Sequence, residues 1–280
     1  MDDLFAQGSP CRVKIRKIKW KFAQCYDKLC LEIILNFQSR GKIAVKKEEG
    51  MVEVNQLSKA FNGVRILNGV SLKAPCGEVT TIAGPNGIGK TTMLNVICGI
   101  LYPDAGEVKF GEGESYRDIF TVLSGDKNLY AKNTVKENVQ FAAVLRGLRR
   151  EEIQKNIEKY LPYFPLYETL ENKLYEKLSF GQKRLITIFA AAVSGAKIIL
   201  MDEPTEGLDL EHKKQLADIM AALKKNAAVI LTTHDYEFSV NVSDRILFLK
   251  DGSIVSENGK LGREEFLKLY HGFYEGGDLQ

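Results

Sequence analysis

The stretch TTIAGPNGIGKTTMLNVICGI, residues 80–100, contains the most specific pattern in this chain. It places the pattern GxxxxGK[ST] between a strand-like apolar run and a helix-like run, the context in which this pattern binds phosphate. Glycines let backbone N–H groups point inward around phosphate, and the start of the following helix adds partial positive charge. Lys90 can then neutralise the outer phosphates, and Thr91 can bind magnesium. A chance glycine-rich turn is disfavoured by the flanking strand and helix.

The composition is that of a globular protein with a full hydrophobic core. Lysine and arginine number 39 against 36 acidic residues, too even a balance to indicate nucleic acid or an anionic membrane as the main partner. The five cysteines form no CxxC pair, which favours neither a disulfide framework nor a zinc site and points to the cytosol. The apolar run LITIFAAAVSGAKIILM contains Gly195 and Lys197, so we expect a buried helix followed by a buried strand, not a membrane span.

The chain changes its pattern several times after residue 50. MVEVNQLSKAF and VRILNGVSL alternate apolar and polar residues as half-exposed strands do. Helical periodicity follows from Thr134 to about Leu178, and it opens with the capping box TVKE. AKIILMDEP and NAAVILTTHD are apolar runs typical of buried parallel strands, and DRILFLKDGSIVSEN is typical of a hairpin with an Asp-Gly turn.

Two adjacent carboxylates follow one of these buried strands. Asp202, in IILMDEP, is placed to hold magnesium through water at the end of a strand beside the phosphate loop. Glu203 comes next and can polarise a water for attack on the end of a phosphate chain. The alternative is a solvated acidic pair at a strand end, which the neighbouring phosphate loop disfavours.

The segment KLSFGQKRL predicts a second anion site, because Ser179 and Gly181 precede a helix whose N-terminus carries partial positive charge. Taken alone, this segment is more simply a good helix cap.

The motifs GPNGIGKTT, LSFGQ, IILMDEP, EGLD and TTHD, in this order and at these separations, resemble the ATP-binding domain of an ABC transporter. The resemblance runs from about Met51 to Gly252. With the patterns above, it predicts an α/β fold with a P-loop NTPase core, a mostly parallel sheet, an N-terminal antiparallel β subdomain and an inserted helical subdomain at about residues 129–180. The expected domain is residues 51–280.

The resemblance also implies roles for individual residues. Two such domains pair head to tail, so that ATP lies between the phosphate loop of one and the Ser179–Gln182 segment of the other. Glu203, His234 and Lys90 would be catalytic, and Thr91 and Asp202 would hold Mg²⁺. Phe61 would stack on adenine, although a core aromatic residue is a serious alternative. The expected nucleotide contacts are Phe61, Gly84, Pro85, Asn86, Gly87, Ile88, Gly89, Lys90, Thr91, Thr92, Ser179, Gly181, Gln182 and Asp209.

The sequence departs from the family pattern at two points. Phe180 stands where the family usually has glycine, while Ser179, Gly181 and Gln182 are present. The glutamine that typically helps place magnesium falls near Gly125, where the chain has no glutamine; Ser124 and Asp126 are candidate substitutes. This second departure concerns magnesium affinity and coupling to a membrane partner, and it favours an exporter-like subunit.

Residues 1–50 are basic and lie outside the resemblance. Three interpretations stay open: a segment read only from a misassigned start site, a disordered tail, and a basic amphipathic helix that contacts a membrane or partner.

The resemblance predicts an ATP-hydrolysing subunit at the cytoplasmic face of the cell membrane. It would act peripherally on a separate transmembrane permease, as a homodimer or as a heterodimer with another ABC ATPase subunit. ATP and Mg²⁺ are the expected cofactors, and nucleic acid is not expected. The alternative is a non-transport ABC ATPase, for example of the iron–sulfur assembly type.

Overall fold

A six-stranded sheet is the larger of the two sheets in the described residues. The computed structural model describes residues 51–125 and 128–275; the predictions for residues 1–50 and for Asp126 lie outside this range. The strand order is β5 (Ile119–Val122), β6 (Ile198–Asp202), β7 (Ala228–Thr233), β3 (Val79–Ala83), β8 (Arg245–Lys250) and β9 (Ser253–Asn258). All neighbours are parallel except β8 and β9.

A smaller antiparallel sheet is formed mainly by the first strands of the described chain. Its order is β2 (Val64–Pro75), β1 (Met51–Phe61) and β4 (Ala105–Phe110). Its buried residues pack with α1 (Lys90–Ile97) and with one face of the larger sheet in a common apolar cluster. The two sheets therefore enclose the helix that follows the phosphate loop.

The other helices lie in an insertion and along the larger sheet. Between β5 and β6 come α2 (Val135–Leu145), α3 (Arg150–Tyr160), α4 (Leu166–Leu170) and α5 (Phe180–Val193). Three further helices follow: α6 (Leu210–Leu223), α7 (Tyr236–Val242) and α8 (Arg263–Tyr274). Short 3₁₀ turns occur at Tyr116–Asp118, Leu161–Tyr163 and Tyr175–Lys177. In the described part of the chain, no helix is both long enough and apolar enough to cross a membrane.

Local sequence signals explain most of these elements. Strands β6 and β7 are buried at every position, as their apolar runs predict, and β3 is fully buried too although it contains Thr80 and Thr81. Thr134 and Glu137 form the predicted capping box at the start of α2. Asp251 and Gly252, both with positive φ, make the predicted tight turn between β8 and β9. The predicted fold class is confirmed, including the antiparallel N-terminal strands and the helical insertion.

Candidate functional site

The phosphate loop connects the buried strand β3 to the first turn of α1. Gly89 occupies the N-cap position of α1 with φ 110°, a backbone conformation that other residues rarely adopt. A Cβ atom there would lie 3.0 Å from Ile66 Cγ2 and 3.2 Å from the Ile66 carbonyl oxygen. Glycine is required at this position both for its conformation and for the close approach of β2.

Lys90 is buried beneath the loop, with only 5% of the residue exposed. Its Nζ donates hydrogen bonds to the carbonyl oxygens of Gly84 at 2.7 Å and Pro85 at 3.1 Å. It also lies 3.7 Å from Glu203 Oε1. Burial lowers the pKa of Lys90, and the nearby carboxylates of Glu203 and Asp202 oppose that shift. A phosphate group at this loop would favour the charged form of the ammonium group, so the site is electrostatically suited to an anion.

Asp202 lies at the end of β6 and accepts hydrogen bonds from two threonines. Thr91 Oγ1 lies 3.1 and 3.0 Å from its two carboxylate oxygens, and Thr232 Oγ1 donates to Oδ1 at 2.6 Å. A hydroxyl and a carboxylate in contact are oxygen ligands of the type that magnesium prefers. Sequence reasoning missed Thr232. The parallel pairing of β6 with β7 places Thr232 opposite Asp202, and an alignment of the two buried strand-like runs could have indicated this.

Glu203 has a left-handed backbone with φ 48°, which is uncommon for a residue other than glycine. Its Oε2 accepts a hydrogen bond from the His234 backbone N–H at 3.2 Å and lies 3.0 Å from His234 Nδ1. Its Oε1 is buried and has no hydrogen-bond partner among the described residues. One carboxylate oxygen is therefore held by the end of β7, and the other can accept a hydrogen bond from a bound molecule.

These groups line one cleft of about 500 Å³. Phe61 lines the cleft and is 41% exposed, with Lys59 Nζ 5.5 Å from the centroid of its ring. Phe61 is therefore not a core residue. Gly84, Pro85 and Ile88 belong to the loop but do not line the cleft. Ile66 lines the cleft although the sequence analysis did not mark it, and Glu206 of the motif EGLD and Ser124, a candidate substitute for the missing glutamine, line it too. The lining residues are Phe61, Ile66, Asn86, Gly87, Gly89, Lys90, Thr91, Thr92, Ser124, Asp202, Glu203, Glu206 and His234.

The segment after β5 contains the position of the missing glutamine. Ser124 lines the cleft, whereas Gly125 does not and has φ 82° with open space around its α-carbon. Ser124 is therefore the better placed of the two residues to face a bound ion or nucleotide.

The LSFGQ segment and Asp209 lie outside this cleft. Ser179 caps α5 in a capping box with Gln182: Ser179 Oγ accepts from the Gln182 N–H at 3.3 Å, and Gln182 Oε1 accepts from the Ser179 N–H at 3.1 Å. Asp209 caps α6 and accepts from the His212 N–H at 2.9 Å. One chain therefore does not bring Ser179, Gly181, Gln182 or Asp209 to its own phosphate loop.

Arg184 links the start of α5 to two residues beside the cleft, and sequence reasoning missed it. Its guanidinium donates to the Leu123 carbonyl oxygen at 2.6 Å and pairs with Glu206 at 3.3 Å. The Phe180 ring lies 5.5 Å from the same guanidinium and packs so closely on Gly207 that a Cβ there would lie 2.3 Å from a ring carbon. Phe180, the residue that departs from the family pattern, thus packs from the start of α5 against the segment that carries Glu206.

Comparison with known proteins identifies the family. The profile of the family described as "ABC transporter" matches residues 67–206. The chain is 32% identical over 216 residues to the spermidine/putrescine import ATP-binding protein PotA of Spiroplasma citri, covering 74% of this chain and 61% of that protein. It is 34% identical to PotA of Legionella pneumophila strain Lens, covering 73% and 58%. The chain thus matches less than two thirds of the length of these curated relatives.

Solved structures agree with this assignment. CbiO1 from Clostridium perfringens, part of the ABC transporter complex cbiONQ, is 29% identical with a TM-score of 0.67, covering 79% of this chain and 91% of that one. MJ1267, an ATP-binding cassette of an ABC transporter in its ADP conformation, is 26% identical with a TM-score of 0.67, covering 81% and 99%.

Proposed function

The chain belongs to the ABC transporter family, and on this premise we propose that it is an ATP-hydrolysing subunit that drives a transporter. The observation that carries the proposal is the convergence of Lys90, Asp202 and Glu203 on one cleft at the phosphate loop. Lys90 would bind the outer phosphates of ATP, and the loop amides and the start of α1 would bind the others. Residues 51–280 would form this ATPase domain.

The site residues suggest how hydrolysis to ADP and phosphate would proceed. Glu203 Oε1 would accept a hydrogen bond from the attacking water, while His234 holds Oε2 and so fixes the direction of the carboxylate. Thr91 and Asp202 would hold magnesium, which when bound neutralises charge on the phosphates. Lys90 would stabilise the charge on the transferred phosphoryl group. His234, whose side chain is 58% exposed, would reach the terminal phosphate, and Phe61 would stack on adenine.

A second ATPase chain would complete the site. Ser179, Gly181, Gln182 and Asp209 lie outside the cleft of their own chain, and the start of α5 offers an anion site to a partner. We propose that two chains pair head to tail around ATP, as a homodimer or with a different ABC ATPase subunit. Closure on ATP and opening after hydrolysis would be the mechanical step.

The proposed partner of this dimer is a separate transmembrane permease, with the ATPase peripheral at the cytoplasmic face of the membrane. PotA and CbiO1, by their names, belong to transport systems, which favours transport over the alternative of a non-transport ATPase. The expectation of an exporter-like subunit gains no support, because the PotA relatives are named as import proteins.

The variant Lys90→Ala tests the phosphate-loop assignment. We expect a strong loss of ATP affinity with an unchanged fold, because the main side-chain charge at the phosphates is removed. Titration of the purified full chain with a fluorescent ATP analogue measures the affinity, and circular dichroism controls for folding. Unchanged affinity in a folded variant would refute the assignment.

A further inference from the structure

The helix α8 lies outside the part of the chain matched by the family, and it packs on the strand that leads into the phosphate loop. Phe266 is 2% exposed, and its ring centroid lies 5.3 Å from that of Phe248 in β8. Phe273 lies 5.4 Å from the same ring. The apolar cluster formed by these aromatic residues also contains Ala83, the last residue of β3. The helix therefore packs directly against the residue that precedes the loop.

The last residue of α8, Tyr274, contacts the ends of two neighbouring strands. Its hydroxyl donates a hydrogen bond to the Leu249 carbonyl oxygen at 2.7 Å and lies 3.3 Å from the Ala83 carbonyl oxygen. Burial raises the pKa of Tyr274 well above its ordinary value. The hydroxyl thus keeps its proton and remains a donor at neutral pH.

The first glycine of the phosphate loop fits closely against this hydroxyl. A Cβ atom at Gly84 would lie 3.2 Å from Tyr274 Oη and 3.1 Å from the Leu249 carbonyl oxygen. The carbonyl oxygen of Gly84 accepts the 2.7 Å hydrogen bond from Lys90 Nζ. Tyr274 and Lys90 therefore contact the carbonyls of successive residues, Ala83 and Gly84, and together they orient the start of the loop.

The first turn of α8 contacts the start of α7. Arg263 Nη2 donates to the Tyr236 hydroxyl at 3.1 Å, and the rings of Tyr236 and Phe266 stack with centroids 6.4 Å apart. Tyr236 begins α7, two residues after His234. One helix thus contacts both the start of the phosphate loop and the segment that follows His234.

We propose that Tyr274 is a positioning residue for nucleotide binding, which holds the start of the phosphate loop in its binding conformation through the Ala83 and Leu249 carbonyl groups. The inference rests on the proposed function, because it requires that the nucleotide binds at this loop. Loss of the hydroxyl leaves the aromatic packing of α8 in place but frees the two carbonyls. The loop then samples other conformations, and ATP must select the competent one.

The test compares Tyr274→Phe with Tyr270→Phe in the full chain. Both variants lose one hydroxyl from the same helix and the same apolar cluster, but it is the Tyr274 hydroxyl that is hydrogen-bonded to the carbonyl of Ala83, the residue before the loop. For Tyr274→Phe we expect the Kd and the KM for ATP to rise roughly 2- to 10-fold, the factor that corresponds to one net hydrogen bond, with little change in kcat. Tyr270→Phe should leave both constants unchanged.

A second readout needs no nucleotide. Hydrogen exchange of peptides that cover residues 84–90 should be faster in Tyr274→Phe than in the wild type, and unaltered in Tyr270→Phe. The proposal is overturned if the KM for ATP is unchanged in Tyr274→Phe, whatever the exchange shows, or if Tyr270→Phe changes the KM equally. A wild-type chain that binds no ATP would instead refute the proposed function, so the two failures are distinguishable.

Discussion

Replacement of Glu203 by glutamine should separate ATP binding from ATP hydrolysis at the proposed site. The substitution keeps the size of the side chain, and the amide oxygen can still accept the hydrogen bond that the His234 backbone N–H donates at 3.2 Å. The amide nitrogen then takes the place of Oε1, the buried oxygen without a hydrogen-bond partner among the described residues. A proton acceptor is thus exchanged for a donor at the atom proposed to contact water.

The proposed role of Glu203 as a general base sets the expected magnitude. Loss of a general base costs about 100- to 10,000-fold in rate, which is about 3 to 5 kcal/mol in the activation free energy. Binding should persist, because the contacts of Lys90 with the Gly84 and Pro85 carbonyls and those of Thr91 with Asp202 do not involve Glu203. The variant also removes a negative charge from the site that receives the terminal phosphate. We therefore expect lost turnover without lost ATP affinity.

The assay is phosphate release at saturating ATP and magnesium, with binding measured separately by titration. Glu206→Gln is the matched control, because this carboxylate also lines the cleft, but it is 51% exposed and pairs with Arg184. Its replacement should cost far less activity than that of Glu203.

The ATP-bound state of Glu203→Gln should accumulate, so the proposed dimer should become detectable. Size-exclusion chromatography with light scattering should show a shift from monomer to dimer with ATP and magnesium, and no shift with ADP. Near wild-type hydrolysis would remove Glu203 from the proposed role. An inactive variant that stays monomeric with ATP bound would count against pairing of identical chains and favour a different ATPase subunit as the partner.

Three further predictions concern magnesium binding and residues 1–50. Ser124→Gln should lower the magnesium concentration for half-maximal hydrolysis. Gly125→Gln should not lower it, and should cost about 1 to 3 kcal/mol of stability because the backbone of Gly125 has a positive φ. Magnesium titrations and thermal melts check both variants, and a lower magnesium requirement in Gly125→Gln but not in Ser124→Gln would contradict the placement of Ser124. Thr232→Val should raise that magnesium concentration, because Asp202 loses its 2.6 Å hydrogen bond; an unchanged titration curve would show that Thr232 does not orient the carboxylate. A chain of residues 51–280 should bind ATP and melt close to the full chain; a loss of several kcal/mol would mean that residues 1–50 pack on the domain.

Features that depend on neighbouring residues were predictable from the sequence. The phosphate loop, the capping box at Thr134 and the Asp-Gly turn at Asp251 each arise from residue types at short fixed spacings, which constrain the backbone locally. The fully buried strands were equally clear, because a continuous apolar run leaves both faces of a strand to the core. These signals, with the order of the motifs, were enough to predict the fold class and the family.

Contacts between residues distant in sequence became visible only in the folded chain. Strand register places Thr232 beside Asp202, and helix packing places Arg184 against the Leu123 carbonyl, 61 residues away. Tyr274 reaches the Ala83 carbonyl across 191 residues, and the carboxylate of Glu203 accepts a hydrogen bond from the backbone N–H of His234 at the end of β7. No local pattern encodes such contacts, because they arise when elements formed separately are packed into one core. The folded chain also places Ser179 and Gln182 outside the cleft that holds Lys90, an arrangement that the sequence indicated only through its resemblance to a family whose domains pair head to tail.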